Sequence, residues 1–386
     1  MCGIFALMNN NITFPMEVVT GSFEKGAMRG PEISTLEMCD SKLYIGFHRL
    51  AINGLNSNSN QPIKINNIKL ICNGEIYNYK KLYKQLNIIP KTDSDCEVII
   101  HLYLKYGIEY TIKLLDGVFS FILYDYGENN LNPCVYIARD PFGVRPLYML
   151  ETSDLPNTIP SLNNEINVTH EKIIAFSSEL KVLNELLNYK NMLSLGVLQN
   201  YPNNYRKNNL YSQSIIPFTI KQFIPGTFSK YTCDFKSHSF WVPEYESKTY
   251  YTQTISPNAL SIYCTETVEE SHKNICRLLN QAVKKRVDGT CDREIACLLS
   301  GGLDSSLITA LVNKYYSGEL RTYSIGMAGS EDLLKAKQVA EYLKTNHTEI
   351  VLTKEEFFNA IPETIRAIES YDTTTVRASV GNYLIG

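Results

Sequence analysis

The first two thirds of the chain alternate short apolar stretches with turn residues, a pattern that predicts a β-rich domain. Gly, Asn, Asp and Pro separate the stretches. The predicted strands are "LYIGFHRLAI", "IKLICNGEIYN", "VFSFILYD" and "CVYIARD". Two stretches with helical spacing, "KKLYKQL" and "DCEVIIHLYLKYG", interrupt them, and Gly107 is the natural C-cap of the second.

The hydrophobic period changes in the last third of the chain, where predicted helices and strands alternate. Helical spacing occurs in "SHKNICRLLNQAVKKRV", "SSLITALVNKYY" and "EDLLKAKQVAEYLKT", and the strands are "EIACLL", predicted to be buried, "TYSIGM" and "HTEIVLT". Such alternation predicts a parallel sheet covered by helices. We therefore expect a first domain over residues 2–240, a linker over 241–267 and a second domain over 268–386.

Composition narrows the class of protein. A length of 386 residues favours two domains. The 37 basic and 40 acidic residues give a net charge of -3, which offers no reason to expect a nucleic acid or membrane partner. The sequence has no apolar run of the roughly 20 residues that a membrane span needs and no signal-peptide pattern, so a cytoplasmic protein is expected. Among the ten cysteines no Cys-x-x-Cys pair occurs, and we expect most to be buried thiols.

The opening "MCGIFALM" places a cysteine where removal of the initiator methionine would make it the first residue. A free α-amine has a pKa of about 7.7–8.0, so it can serve as the base that takes the proton of a neighbouring thiol. Cys2 is therefore a candidate nucleophile. An ordinary second residue is the alternative.

Five downstream residues have the chemistry that such a nucleophile needs. In "FHRLAIN", Arg49 is suited to clamp a carboxylate. In "NGEIYN", the Asn73 amide and the Gly74 N–H are the parts of an oxyanion hole. Glu75 and Asp95 are suited to receive an α-ammonium group. Alternatives are an Asn-Gly turn, a surface charge at Arg49 and a helix N-cap at Asp95.

These residues together resemble the class II, N-terminal-nucleophile glutamine amidotransferases. The matching phrases, in the family's order over about 180 residues, are "MCGIFA", "RGPE", "FHRLAI", "QPI", "NGEIYNYKKL", "LDGVFSFILYD", "RDPFGVRPLY" and "FSSELK". Two positions depart from the family pattern, since Glu32 stands in place of an aspartate and Met28 in place of a histidine. The resemblance implies an α+β fold in which two antiparallel sheets pack between helices.

The reaction that the resemblance implies is hydrolysis of glutamine through a thioester on Cys2. Asn73 and Gly74 would stabilise the oxyanion. The glutamine pocket would consist of Arg49, Leu50, Ala51, Ile52, Asn53, Asn73, Gly74, Glu75 and Asp95.

A second candidate site lies at "CLLSGGLDSS", between a predicted strand and a predicted helix. Backbone N–H groups and the helix dipole favour an anion there. The loop lacks the Walker ending and the Rossmann spacing. Its glycines, Gly301 and Gly302, let a phosphate approach, and Asp304 is suited to hold Mg²⁺. The loop hydroxyls come from Ser300, Ser305 and Ser306. A plain strand-to-helix turn is the alternative.

The phrase resembles the pyrophosphate loop of the N-type ATP pyrophosphatases, in which Leu299 and Ile325 would contact adenine. The stretches "LNQAVKKRV", "CLLSGGLDSSL", "YSIGM" and "YDTTTVRASVGNYLI" resemble, more narrowly, the glutamine-hydrolysing asparagine synthetases. Arg377 would lie in the synthetase cleft, with a structural salt bridge as the equal alternative. The later "SGEGSDE"-type loop and lysine of that family do not occur, so we expect an α/β domain that is truncated.

The resemblance implies ATP-dependent synthesis of asparagine from aspartate, with glutamine as nitrogen donor and a β-aspartyl-AMP intermediate. ATP and Mg²⁺ would take part, without a prosthetic group, and the partners would be small molecules: glutamine, aspartate and ATP. The alternatives are a glutaminase with a defunct synthetase remnant and a non-catalytic decoy. Whether the protein forms a homodimer stays open.

Overall fold

A computed structural model describes residues 1–10, 13–40, 42–127, 132–152, 172–194, 218–234, 238–252 and 267–386. By internal contacts the chain divides into two compact units, Met1–Gln253 and Thr254–Gly386. Each unit is described by itself. Within the described ranges, no helix is long and apolar enough to cross a membrane.

The first unit contains two six-stranded antiparallel sheets. Its strands are β1 (Gly3–Met8), β2 (Ile33–Asp40), β3 (Leu43–Arg49), β4 (Ile63–Ile65), β5 (Ile68–Ile76), β6 (Gly117–Asp125), β7 (Cys134–Arg139), β8 (Tyr148–Thr152), β9 (Ile174–Ser177), β10 (Phe218–Gln222), β11 (Thr227–Asp234) and β12 (His238–Thr249). One sheet has the order β10-β8-β9-β1-β3-β2, and the other has the order β12-β11-β7-β6-β5-β4. Residues 241–249 of the predicted linker lie in β12, and residues 253–266 lie outside the described ranges.

Helices cover the outer faces of the two sheets. They are α1 (Met16–Glu24), α2 (Tyr79–Leu86), α3 (Val98–Tyr106), α4 (Ile108–Leu114) and α5 (Leu180–Ser194). One apolar cluster joins the inner faces of the two sheets, including Ile4 on β1 and Ile71 on β5. A second cluster packs β5 and β6 on α2–α4, and a third packs β1 on α1 and α5. The result is the predicted pair of antiparallel sheets between helices.

The strand β1 is apolar at every position because it is covered on both faces. All six of its side chains are buried, and it pairs with β3 and β9. The register sets Gly3 opposite His48, so the residue before β1 lies beside the end of β3. Cys2 is thereby anchored next to Arg49 and the loop that follows it.

The second unit is a three-stranded parallel sheet with helices, as the alternating pattern predicts. Its elements are α6 (Val268–Gly289), β13 (Ala296–Leu298), α7 (Leu303–Tyr315), β14 (Arg321–Gly326), α8 (Glu331–Leu343), β15 (Asn346–Val351), α9 (Lys354–Asn359), α10 (Ile361–Ile368) and α11 (Thr373–Ile385). The strand order is β13-β14-β15. A capping box begins α6: the Thr267 hydroxyl accepts from the Glu270 N–H at 3.2 Å, and the Glu270 carboxylate accepts from the Thr267 N–H at 2.8 Å.

One expectation about this sheet is wrong. The strand in "EIACLL" was expected to be buried, yet Leu298 on β13 is 54% exposed. In the described structure β13 pairs only with β14 and forms an edge of the sheet. A strand at the edge of a sheet can leave apolar side chains exposed to solvent, so an apolar composition alone does not show that the strand is buried.

Candidate functional sites

Cys2 lies immediately before β1, with its thiol against the backbone of Leu50. The sulfur is 3.4 Å from the Leu50 nitrogen and 3.4 Å from the Leu50 oxygen. Burial raises the pKa of the Cys2 thiol, whereas the Leu50 N–H, the N-terminal amine and Arg145 act to lower it. Burial also lowers the pKa of the Met1 amine. The thiol is therefore neutral until a base removes its proton, and the nearby amine is biased toward its basic form.

Asn73 and Gly74 lie in the middle of β5, opposite Ser120 and Phe119 of β6. The Asn-Gly pair is not a turn, so that alternative is wrong. Asn73 is 1% exposed, and its Nδ2 has no hydrogen-bond partner among the described residues. A Cβ at Gly74 would lie 2.5 Å from the Val118 oxygen, so no side chain fits there. A buried, unsatisfied amide donor is rare in proteins and suits an oxyanion.

Arg49 organises the loop that carries the predicted glutamine-binding residues 50–53. It is 5% exposed, so the alternative of a surface charge is wrong. Its guanidinium donates to the Gly54 carbonyl, to Asn60 Oδ1 at 2.6 Å and to the Asn56 carbonyl at 3.3 Å. The structure thus shows Arg49 tying the loop together, a role that the sequence analysis did not assign to it.

Glu32, which departs from the family pattern, supports the same loop. Its Oε2 accepts from the Ala51 N–H at 3.2 Å, and its own N–H donates to the Arg49 carbonyl at 3.1 Å. The longer side chain therefore still reaches the glutamine-pocket segment. Met28, the other departure, is 85% exposed.

Asp95 is a buried carboxylate at the start of the 3₁₀ turn Asp95–Glu97. It accepts from the Ile76 N–H at 2.6 Å, next to the Glu75 that was predicted to share its role. Burial raises the pKa of Asp95, the Glu75 charge also raises it, and hydrogen bonds from Ile76 and Asn53 oppose the rise, which leaves the pKa at about 6. The N-cap of the turn is Ser94, whose hydroxyl accepts from the Cys96 N–H at 3.3 Å, so the alternative of an N-cap at Asp95 is wrong.

Two arginines near Cys2 were not predicted from the sequence as site residues. Arg29 Nε donates to the Cys2 carbonyl at 2.8 Å and lies 3.8 Å from the Glu179 carboxylate. Arg145 Nη2 donates to Glu75 Oε1 at 2.6 Å. Both arginines lie in phrases that carried the family resemblance, "RGPE" and "RDPFGVRPLY". That resemblance was the sequence feature from which they could have been proposed as site residues.

The second candidate site lies in the second unit, where the loop 299–302 joins β13 to α7. Gly301 has φ of 77°, and a Cβ there would lie 2.5 Å from the Ala336 nitrogen, so only glycine fits. The Ser300 and Ser305 hydroxyls are 3.0 Å apart. The Ser306 hydroxyl is buried without a partner in the described structure.

A cavity of about 230 Å³ opens beside this loop. Four of the predicted nucleotide-binding residues line it: Leu299, Ser300, Ser305 and Ile325. Because β13 and β14 are parallel neighbours, their carboxyl ends bring Leu299 and Ile325 to the same edge of the sheet. The remaining lining includes Tyr323, Asp332, Asn382 and Ile385. The prediction omitted the contribution of α11, which only the folded chain reveals.

The other predicted residues of this site lie outside the cavity lining. Asp304 is exposed in the first turn of α7. Among the described residues, no group of three acidic, histidine or cysteine side chains could hold a metal ion. Arg377 is exposed on α11 and has no ion pair within the described ranges, so neither of its two predicted roles has a contact to support it.

The sequence comparisons place each part of the chain beside a known family. The family model described as "Glutamine amidotransferase domain" matches residues 1–241, and the chain belongs to this glutamine amidotransferase family. A model described as "Asparagine synthase" matches residues 274–386.

Within that class, the chain is similar to proteins named "Asparagine synthetase [glutamine-hydrolyzing]". It is 34% identical to the one from Homo sapiens over 405 residues, 35% to that from Rattus norvegicus over 406 and 36% to that from Mus musculus over 409. Each comparison covers 100% of this chain and 62% of the relative. The resemblance inferred from the sequence is confirmed, and the chain spans 62% of the length of these relatives.

Proposed function

We propose that the first unit is a glutaminase with Cys2 as nucleophile and that its ammonia serves the synthesis of asparagine from aspartate and ATP. The observation that carries the first part is the buried Asn73 amide, whose Nδ2 has no partner in the described structure and which directly follows Cys72 on β5. A buried hydrogen-bond donor without an acceptor destabilises the folded state by about 1–3 kcal/mol. The presence of Asn73 at this position therefore favours an acceptor that binds there with the substrate.

The proposed chemistry begins after removal of Met1. The α-amine of Cys2 takes the thiol proton, and the sulfur attacks the side-chain amide of glutamine. The Asn73 Nδ2 and the Gly74 N–H donate to the oxyanion. The α-ammonium group returns the proton to the amide nitrogen as the C–N bond breaks, and ammonia leaves. Water then attacks the glutamyl thioester, which releases glutamate and regenerates the thiol.

The pocket around the nucleophile supplies substrate binding in this proposal. The segment 50–53 forms one wall. Glu32 holds it at the Ala51 N–H, and Arg49 holds the part of the loop that follows it. Asp95 receives the α-ammonium of glutamine. A carboxylate with a raised pKa is destabilised as an anion by burial, so an incoming cation gives it a favourable partner.

In the second unit, the loop 299–302 and the cavity beside it are the proposed ATP site. Leu299 and Ile325 contact the base, and the hydroxyls of Ser300, Ser305 and Ser306 with the loop backbone bind the phosphates. Asp304 provides one carboxylate for Mg²⁺, which commonly binds one or two carboxylates together with substrate phosphates. The aspartate side-chain carboxylate attacks the α-phosphorus of ATP and pyrophosphate leaves, which gives β-aspartyl-AMP; ammonia then attacks the acyl carbon and displaces AMP.

A glutaminase without synthetase activity is the second candidate. The exposed Leu298 on an edge strand of a three-stranded sheet favours it, because an α/β nucleotide site is usually supported by a wider sheet. The two functions differ in one respect: only the full activity yields asparagine.

The test follows the nitrogen atom. Purified chain is given amide-¹⁵N glutamine, aspartate and Mg-ATP, and both glutamate and ¹⁵N-asparagine are measured. A Cys2→Ala variant is run beside it, once with glutamine and once with ammonium chloride. We expect ¹⁵N-asparagine from the unaltered chain, none from the variant with glutamine, and asparagine from the variant with ammonium.

Each other outcome is decisive. Glutamate without asparagine in any arm supports the glutaminase alone and refutes the synthetase. Glutamate that persists in the Cys2→Ala variant refutes the role of Cys2. No glutamate from the unaltered chain refutes the proposed function.

A further inference from the structure

The loop after β7 is fixed by a buried charge that the proposed chemistry does not use. Asp140 is 0% exposed, and its carboxylate accepts four backbone N–H groups, those of Phe119 at 3.2 Å and of Phe142, Val144 and Arg145 at 3.0 Å each. Four such bonds satisfy a buried carboxylate and hold the backbone of the loop in one conformation.

Arg139 stabilises the other side of the same loop through hydrogen bonds. Its guanidinium donates to the carbonyls of Arg145 at 2.8 Å, Gly143 at 2.8 Å and Phe223 at 2.6 Å. The Arg145 backbone is thus held at both its N–H and its carbonyl. So many polar contacts around one backbone position indicate that the direction of the Arg145 side chain matters.

That side chain points at the glutaminase site. Arg145 is 6% exposed, its Nη2 donates to Glu75 Oε1 at 2.6 Å, and its Nη1 contacts the sulfur of Met1. Its Nε is buried with no partner among the described residues. The guanidinium therefore lies between the carboxylate of β5 and the N-terminal residue.

We propose that Arg145 is a positioning residue of this site, holding Glu75 in an ion pair and keeping one positive charge beside the N-terminus. The inference rests on the proposed glutaminase function and goes beyond it by dividing the two acidic residues between two tasks. Glu75 is bound to Arg145, and Asp95 is left as the carboxylate that receives the substrate ammonium.

The charges around the nucleophile support this division. Arg145 acts to lower the pKa of both the Cys2 thiol and the Met1 amine, and Arg29 also lowers that of the amine. Glu75 acts in the opposite direction on the amine. The thiol and the amine also affect the pKa of each other. Cys72 and the Leu50 backbone affect the pKa of the thiol. Pairing Glu75 with Arg145 limits its opposing effect.

The test uses substitutions that separate charge from geometry. Arg145→Gln removes the charge, Arg145→Lys retains it without the planar fork, and Glu75→Gln removes the opposing charge. Arg366→Gln, at an exposed helix position, is the matched control. Two profiles are measured from pH 5 to 10: kcat/KM for glutamine, and alkylation of Cys2 by iodoacetamide, followed by mass spectrometry of the N-terminal peptide.

We expect Arg145→Gln to move the acid limb of kcat/KM and the alkylation midpoint to higher pH, by about 0.5 unit or more. Removing a positive charge favours the protonated amine and thiol, which gives this sign. Glu75→Gln should move the acid limb to lower pH. Arg145→Lys should leave both profiles in place while KM rises severalfold, because a lysine lacks the planar fork that contacts Glu75 and the N-terminal residue at the same time.

Equal shifts in the Lys and Gln variants, no shift in either, or shifts of the same sign for Arg145→Gln and Glu75→Gln would overturn the inference. So would an equal shift in the Arg366→Gln control. If Arg145→Gln does not fold, the Lys and Glu75 variants still decide the question. If the unaltered chain releases no glutamate, the proposed function fails, and the alkylation profiles alone decide whether Arg145 acts on the nucleophile.

Discussion

Replacing Asp95 with asparagine should make the first unit more stable and a worse enzyme. Asp95 is a buried carboxylate whose pKa burial raises to about 6, against an ordinary value of 3.8. In the proposed function, its retention in the core serves substrate binding rather than folding. Asp95→Asn keeps the shape of the side chain and removes its charge.

The magnitude follows from that pKa. A shift of about 2 units corresponds to about 3 kcal/mol between the two protonation states. Because the folded state holds the Asp95 proton more tightly than the unfolded state, stability is lost as the pH rises from about 4 to about 6 and stays lower above that. Asparagine has no such dependence.

The substitution also has a cost that does not depend on pH. Asp95 accepts from the Ile76 N–H and from the Asn53 side chain, and an asparagine has one acceptor oxygen instead of two. The lost hydrogen bond destabilises the variant by about 1 kcal/mol. The net expectation is a variant about 1 kcal/mol less stable at pH 4 and about 1–2 kcal/mol more stable at pH 7.5.

The assay is urea unfolding from pH 4 to 7.5. Trp241 is the single tryptophan of the chain, is 1% exposed and lies in the first unit, so its fluorescence reports that unit alone. The difference in the free energy of unfolding, variant minus unaltered chain, should rise with pH. A difference that is flat, or that falls with pH, would refute the buried-charge account. In parallel, KM for glutamine should rise on the order of tenfold or more, because an ammonium loses its partner.

Three further predictions follow from the same geometry. Asn73→Ala should lower kcat for glutamate release by about 10²–10³ with little change in KM, since the donor acts on the oxyanion, and an unchanged kcat would exclude it from that role. KM of the unaltered chain for glutamine should rise as the pH falls through about 6, where Asp95 becomes protonated, and a KM constant from pH 5 to 8 would exclude Asp95 from ammonium binding. Gly301→Ala would set a Cβ 2.5 Å from a backbone nitrogen at a residue with φ of 77°. It should weaken ATP binding tenfold or more in calorimetry while glutaminase activity persists. Unchanged ATP affinity would place the nucleotide elsewhere.

The sequence predicted the fold class well because its two patterns differ clearly. The apolar stretches that form β3, β5, β6 and β7 and the strand-helix alternation after residue 268 each correspond to observed elements. The strand β1 was not assigned from its pattern. It is apolar on both faces, and a short continuous apolar run does not distinguish a buried strand from a buried helix.

Residues of the candidate site could be proposed from the sequence where the side chain itself indicates a chemical role, as at Cys2, Asn73 and Asp95. It was not predictable where a role depends on long-range packing. Arg145 and Glu75 are separated by 70 residues and meet because the loop after β7 folds back toward β5. Arg49 was expected to clamp a substrate, whereas its hydrogen bonds to the 54–60 loop appear only once that loop is folded.

The central claim, that Cys2 is the nucleophile of a glutamine pocket, is tested most directly by covalent labelling. A glutamine analogue whose side chain ends in a diazo ketone alkylates a thiol that attacks it, and peptide mass spectrometry locates the label. We predict one label per chain, on Cys2, prevented by excess glutamine and absent in Cys2→Ala. Labelling of the exposed Cys276 or Cys291 instead, or glutamate release that continues after Cys2 is fully labelled, would contradict the account.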